Sequence, residues 1–395
     1  MKRRSTRGDS ELGHPSSGEQ PPAVEPTPPP PPSDPGSRQG PERGSRQGPE
    51  RGPHQSPDRG PAFFAALLQS RADPTRVAAD VTALAAAPRG RHHPVHLERA
   101  QAYVSEGLAA AGWRVRAVPF QRRWVPGVTD AGGRTSIVQR LRLFPRLDGV
   151  NLLAELPGAP PGRRVLIVAH LDSVAGSGGA DDNASGVAAL MEAARLLAGL
   201  PEPPAVVLAI VDLEELGKVG SGALARDRTF RRNLDLVVCL ESVGTFHDAP
   251  DTQQIGGLGL VFRDLAARVR ARQHRGDFLL AVCRSSSAYA ATAVTAAAAA
   301  LGTPLPVFEA RDPRPDGWPG RLVTWFLPLL AHLDRSDHAP FWSRGVPSMM
   351  LTTTASFRNR HYHLAGDVPD NVDYPRVTAV AVAVAAAAAA RFGGS

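Results

Sequence analysis

Seven residues of types that hold divalent cations or move protons occur in a fixed order: His170, Asp172, Asp182, Glu214, Glu215, Glu241 and His363. In VLIVAHLDS, His170 and Asp172 stand two residues apart beyond an apolar run, so both project to one side. A histidine with a carboxylate within reach of its second ring nitrogen suits a metal ligand, although a His-x-Asp pair alone is equally at home in a surface turn. GADDNASG then brings Asp181 and Asp182 into a turn before an amphipathic helix, where they either cap the helix or bridge two cations. Glu214 and Glu215 follow another apolar run. Two like charges at such a place are costly to desolvate without cations, and they divide naturally into one metal ligand and one proton acceptor. Glu241 in LESVG repeats the pattern, and HYHLAGD supplies His361, His363 and Asp367. Each feature has an ordinary structural alternative; their shared order does not.

Such residues need strands to aim them. Apolar runs of strand length cover Val165–Ala169, Ala205–Val211, Leu236–Leu240 and Ser348–Leu351, and helical patterns cover 74–86 and 97–113. The alternation predicts an α/β sheet flanked by helices, with a site in the crevice at the carboxyl ends of the strands. The stretch 246–335, with Trp318 and Trp325, carries no readable motif; lying between candidate ligands, it is expected to build the groove that selects substrates.

The motif series HLD, GADDNASG, EELG..GS, LESVG, SDH..F and HYHLAGD resembles the co-catalytic zinc aminopeptidases of the aminopeptidase S and aminopeptidase Y type. They are related to glutamate carboxypeptidase and glutaminyl cyclase, and the likeness spans about residues 75–392. The resemblance implies a three-layer α/β/α sandwich around a mixed, mostly parallel sheet. It also implies two zinc ions held by His170, Asp182, Glu215, Glu241 and His363, with Asp182 bridging. Asp172 is then the residue that orients His170, and Glu214 the base that takes a proton from a water between the zincs. A cis peptide is implied between Asp182 and Asn183. Leu364 and Val368 depart from the family's usual threonines. His338 in SDHAPFW either lines the substrate site or belongs to a turn that caps the next helix. The function implied is hydrolysis of the N-terminal bond of a peptide substrate. Alternatives on the same framework are a glutaminyl cyclase, a carboxypeptidase using Arg358 and Arg360, and a silent binding relative.

Composition limits the remaining readings. Of the formal charge of +7, only +1 falls in residues 1–60, and the remainder is scattered along the chain; no nucleic-acid partner is expected. No run of 18 apolar residues is free of Pro and charge, so no membrane partner is expected, and the Ala-rich stretch 376–391 reads as a closing helix. Residues 1–61 contain a TPPPPP run and the tandem repeat GSRQGPER, predicting a disordered tail before a catalytic domain over 62–395. An SH3-like partner for that tail is a secondary expectation. Cys239 and Cys283 are too few for a disulfide framework and read as small buried hydrophobes. A basic start without an apolar stretch predicts a cytoplasmic location.

Overall fold

The apolar runs pair into a single eight-stranded sheet in the order β1-β2-β4-β3-β5-β8-β6-β7. The strands are β1 (Arg114–Val128), β2 (Leu141–Glu155), β3 (Arg164–His170), β4 (Val206–Val211), β5 (Leu234–Glu241), β6 (Leu279–Cys283), β7 (Val307–Arg311) and β8 (Ser348–Thr352). This is a computed structural model in which residues 59–131 and 141–391 are described. The expected tail therefore lies, up to residue 58, outside the described residues.

The centre, β4-β3-β5-β8, is parallel. Its strands read as unbroken apolar runs because both faces are covered. Ile167, Ala169, Leu208 and Leu236 face one core, and Leu166, Val168, Val207 and Val237 face the other. Antiparallel pairing adds β2 at one side of this core and β6 at the other, with β1 and β7 at the edges. The result is the mixed, helix-flanked α/β sheet expected.

Helices α1 (Pro61–Leu68), α2 (Pro74–Leu84) and α3 (Pro94–Ala110) each begin with proline in the first turn, where its missing N–H costs nothing. Asp73 caps α2 by accepting from the Thr75 amide. Ordered structure was expected near Pro61, and α1 begins there. The helix expected over 97–113 starts instead at Pro94 and stops at Ala110; Trp113, beyond it, is buried and donates its indole N–H to the Ala194 carbonyl. Next come α4 (Gly186–Ala198), α5 (Val219–Arg226), α6 (Ala288–Ala299), α7 (Trp318–Phe326) and α8 (Tyr374–Ala389). Val377 to Ala388 of α8 are buried without interruption; small side chains let α1, α2, α4 and α6 pack around it. No helix among the described residues is long and apolar enough to cross a membrane. Cys239 and Cys283 are free and buried on β5 and β6.

Candidate metal centre

His170 ends β3 and Glu241 ends β5, neighbouring parallel strands, so both side chains leave the sheet at its carboxyl edge. Glu215 comes from the turn after β4, Asp182 from the turn before α4, and His363 from the loop after β8. Three residues among or beside these ligands, Leu213 (φ 58°), Ser242 (φ 47°) and His363 (φ 61°), hold left-handed backbone conformations. Such conformations persist only where the surroundings enforce them. The Asp182–Asn183 peptide is cis.

All five expected ligands converge, in two triads that share one carboxylate. His170 Nε2 lies 3.2 Å from Asp182 Oδ1 and 3.3 Å from Glu241 Oε2. His363 Nε2 lies 3.0 Å from Asp182 Oδ2 and 3.1 Å from Glu215 Oε2. Each triad offers three ligand atoms close enough to bind one ion. His170 Nε2, His363 Nε2, both Asp182 oxygens and Glu215 Oε1 are buried without a hydrogen-bond partner. Buried polar atoms are rarely left so, and two imidazoles with three carboxylates are the donors a borderline cation prefers. The residues present thus fit divalent metal. Burial opposes ionisation of Asp182, yet His170 and His363 hold its carboxyl below the usual range; the same pairing, with Glu215, holds the His363 ring up at about 10.

A second layer of bonds fixes these ligands. His170 Nδ1 meets the main-chain carbonyl of Asp172 at 3.0 Å. A carbonyl only accepts, so Nδ1 carries the proton and Nε2 is free to ligate. The Asp172 carboxylate, the expected orienting group, stands 3.6 Å from that ring. It accepts instead the amides of Glu214 (3.0 Å) and Glu215 (3.1 Å), so Asp172 positions three site residues, two through its side chain and His170 through its main-chain carbonyl. Asp367 accepts the amides of Asp181 (2.9 Å) and Asp182 (3.1 Å). Asp181 itself is turned away, accepting from Gly244, Thr245 and Asn359. Glu241 is held by Ser242 (3.0 Å) and Ser336 (2.7 Å). Glu214 is half-buried; burial, reinforced by Asp337 and Glu241, pushes its carboxyl well above the usual range, against His170 and Lys218.

Several residues differ from expectation or had no readable signal. His338 does not reach the crevice: it is fully buried, bonded to the Leu333 carbonyl at 2.7 Å and edge-on to Trp342. Burial lowers its pKa to about 3. Its neighbour Asp337 is buried, and burial raises its carboxyl to about 7. His361 is exposed. Arg89 is buried beneath the centre, donating to the carbonyls of Leu84, Leu171, Gly178 and Gly179. One of two arginines in PRGRHH, Arg89 offers no sequence signal for that position. Tyr362 stacks on His363 at 3.9 Å between ring centres and reaches an apolar pocket beside Glu241. Ile255, Leu258, Phe262, Phe278 and Leu280 line that pocket, so the unreadable stretch 246–335 does build a cavity at the site.

Residues 151–295, which hold four of the five ligands, match Peptidase family M28. The uncharacterized protein YfbL of Escherichia coli (strain K12) is 28% identical over 306 residues, 74% of this chain and 80% of that protein. BSAP, a zinc aminopeptidase from Bacillus subtilis, shares the fold with a TM-score of 0.54 and 14% identity, over 80% of this chain and 94% of that one. The glutaminyl cyclase of Porphyromonas gingivalis does so with a TM-score of 0.52 and 17% identity, over 79% and 96%.

Proposed function

Since the chain carries a domain of Peptidase family M28, a family of peptide-bond hydrolases, we propose that it is a zinc-dependent aminopeptidase with two metal ions. The observation that carries this reading is the pair of Asp182 oxygens, each turned to a different imidazole-carboxylate triad. Zinc bound there would acidify water and polarise a peptide carbonyl.

The chain's own groups supply the remaining needs. His170 and Glu241 would hold one cation, Glu215 and His363 the other, with Asp182 offering one oxygen to each triad. Glu214, not a member of either triad, is the base; cations bound nearby would oppose the burial that raises its carboxyl and keep it ionised. It collects a proton from the attacking water and returns it to the departing amine. The apolar pocket beside Glu241 receives the side chain of the substrate's first residue, and a carboxylate of the centre pairs with the free ammonium.

Against a carboxypeptidase stands the position of Arg358. It is buried, donates to Gln253, Thr245 and Phe278, and stacks on Phe278, so its guanidinium is engaged mainly within the protein, whereas Arg360 is exposed. The glutaminyl cyclase reading rests on the fold neighbour, and it predicts ammonia release from N-terminal glutamine. The deciding experiment offers the zinc-loaded protein aminoacyl fluorogenic amides, their N-acetyl forms, and glutaminyl peptides, with and without a chelator. Chelator-sensitive cleavage confined to free aminoacyl amides is expected. Rapid cleavage of the blocked forms would replace this reading by a carboxypeptidase or endopeptidase.

A further inference from the structure

On a surface that includes none of the five expected ligands, positive charge gathers beyond what its surroundings neutralise. Arg122 of β1, Arg226 of α5, Arg321 of α7 and Arg344 line one cleft together with Lys218 and Trp124. Among the described residues none of these cations has an ion-pair partner. Asp334, the carboxylate in the same cleft, is held by Arg314 at 2.6 Å and 3.0 Å. Burial and the repulsion of Arg122, Arg344 and Arg321 lower the pKa of Arg226, and burial with Arg231, Arg321 and Arg122 lowers that of Arg344. Four guanidiniums pressed together in this way call for an anion.

The helix bordering the cleft supplies an independent observation. At 100° per residue, Arg321, Trp325, Trp318, Leu322 and Phe326 follow one another around a single face of α7. That face is turned to solvent: Trp318 is 73% exposed, Leu322 52%, Trp325 82% and Phe326 71%, whereas Gly320 is buried and Val323 packs against the core. An apolar stripe pointing outward is the reverse of what burial alone selects. Trp124, across the cleft, is 68% exposed.

We propose that this face docks the protein onto an anionic lipid surface, with the tryptophans, Leu322 and Phe326 entering the interface and the arginines meeting the headgroups. Tryptophan, phenylalanine and leucine beside unpaired arginines are what an interfacial helix presents to a bilayer. A second copy of the chain is a poorer occupant, because a two-fold contact through this face would set the arginines against one another. A nucleic acid would use the arginines and stacked tryptophans but leave Leu322 and Phe326 without a role. The charge is scattered in sequence, from 122 to 344, and gathers only in space; the expectation of no membrane partner came from the lack of a long apolar run, which bears on a spanning helix and not on a face that lies on the bilayer. The proposal is independent of the peptidase reading.

The test is sedimentation of the full chain with vesicles of phosphatidylcholine alone or mixed in equal parts with phosphatidylglycerol. Binding to the mixed vesicles is expected to be at least roughly tenfold tighter and to weaken in high salt. Arg122→Glu with Arg321→Glu, and separately Trp325→Ser with Phe326→Ser, should each lose roughly tenfold in vesicle affinity while circular dichroism stays unchanged. Equal binding to both vesicle types, or vesicle affinity unaltered in both variants, would overturn the proposal. Binding of a single-stranded oligonucleotide without vesicle binding would hand the face to nucleic acid, and self-association abolished by the Trp325 variant would hand it to a second copy.

Discussion

Glu214 and Glu215 are neighbours with the same side chain, and what separates them is direction: Glu215 joins a triad with His363 and Asp182, whereas Glu214 does not. Glu214→Gln is therefore expected to keep its zinc content and fold while losing about 10²–10⁴ in turnover, the usual contribution of a general base. Glu215→Gln should lose the metal of its own triad, read directly by elemental analysis as a reduced zinc content. Asp172→Asn should weaken metal binding by about 10–100-fold, as loss of a partner behind the ligands does, because it disturbs two amides as well as the His170 ring. The five candidate ligands were legible in the sequence because each stands in a short motif, and the structure brings them together. The work of Asp172 was legible only in part: a two-residue spacing points to the ring, and the bonds to the next strand's turn exist only once β3 and β4 pair. His338 was open between two readings for the same reason, since its burial depends on packing against Trp342. Held neutral with a pKa of about 3 by burial, it gives up stability in acid. The unfolded ring titrates near 6.5, so the unfolded chain takes the proton first; stability is complete above about pH 6.5 and falls toward about pH 3. His338→Phe, even if less stable at neutral pH, should show a shallower acid limb in thermal unfolding.

Elements turn these residues into a site, and the parallel strands do so because all of them end at one edge. Val165–Ala169, Ala205–Val211, Leu236–Leu240 and Ser348–Leu351 were visible as apolar runs because strands covered on both faces leave no place for polar residues. The hairpin β1–β2 was not visible: β1 has no buried residue and is rich in arginine, β2 is buried mainly toward its carboxyl end, and their strand character comes from cross-strand partners. β6 and β7 are five residues each, too short to stand out beside the Ala-rich helix between them. On the proposed reading those two strands would shape specificity, since Leu280 and Val282 of β6 and Ala310 of β7 line the apolar pocket with Phe262 and Phe278. A pocket of this lining is expected to favour Leu, Phe or Met over Asp, Lys or Gly at the first position of a substrate. A hydrophobic pocket discriminates by about 1–3 kcal/mol per methylene, or 10–200-fold in kcat/KM. Comparison of aminoacyl amides measures it directly. Phe278→Asp should abolish the preference for apolar residues, whereas equal rates on Asp and Leu amides with the unaltered protein would show that the pocket does not hold that side chain.

For the molecule as a whole, the centre is a tie between segments far apart in sequence, and on the proposed reading metal would determine stability as well as chemistry. The five ligands lie between His170 and His363, on β3, on β5 and in three separate loops, and the sheet alone joins β3 to β5. Without cations, three carboxylates converge with two imidazoles, and the balance depends on protons held by the rings. With cations, a ligand that binds only the folded chain adds RT ln(1 + [L]/Kd), about 2.7 kcal/mol at a hundredfold excess over Kd. Chelation should therefore lower the midpoint of thermal unfolding by several degrees, and zinc should restore it. Both triads pass through Asp182, so Asp182→Asn is expected to remove most of that response, whereas Glu241→Gln and Glu215→Gln, each touching one triad, should retain a part. Calorimetric scans of the four proteins with zinc and with chelator separate the cases. If the Asp182 variant kept the full zinc-dependent rise, the ion would be bound elsewhere and the shared carboxylate would be no bridge. A rise reduced by about the same amount in all three variants would instead describe one cation held by all five residues.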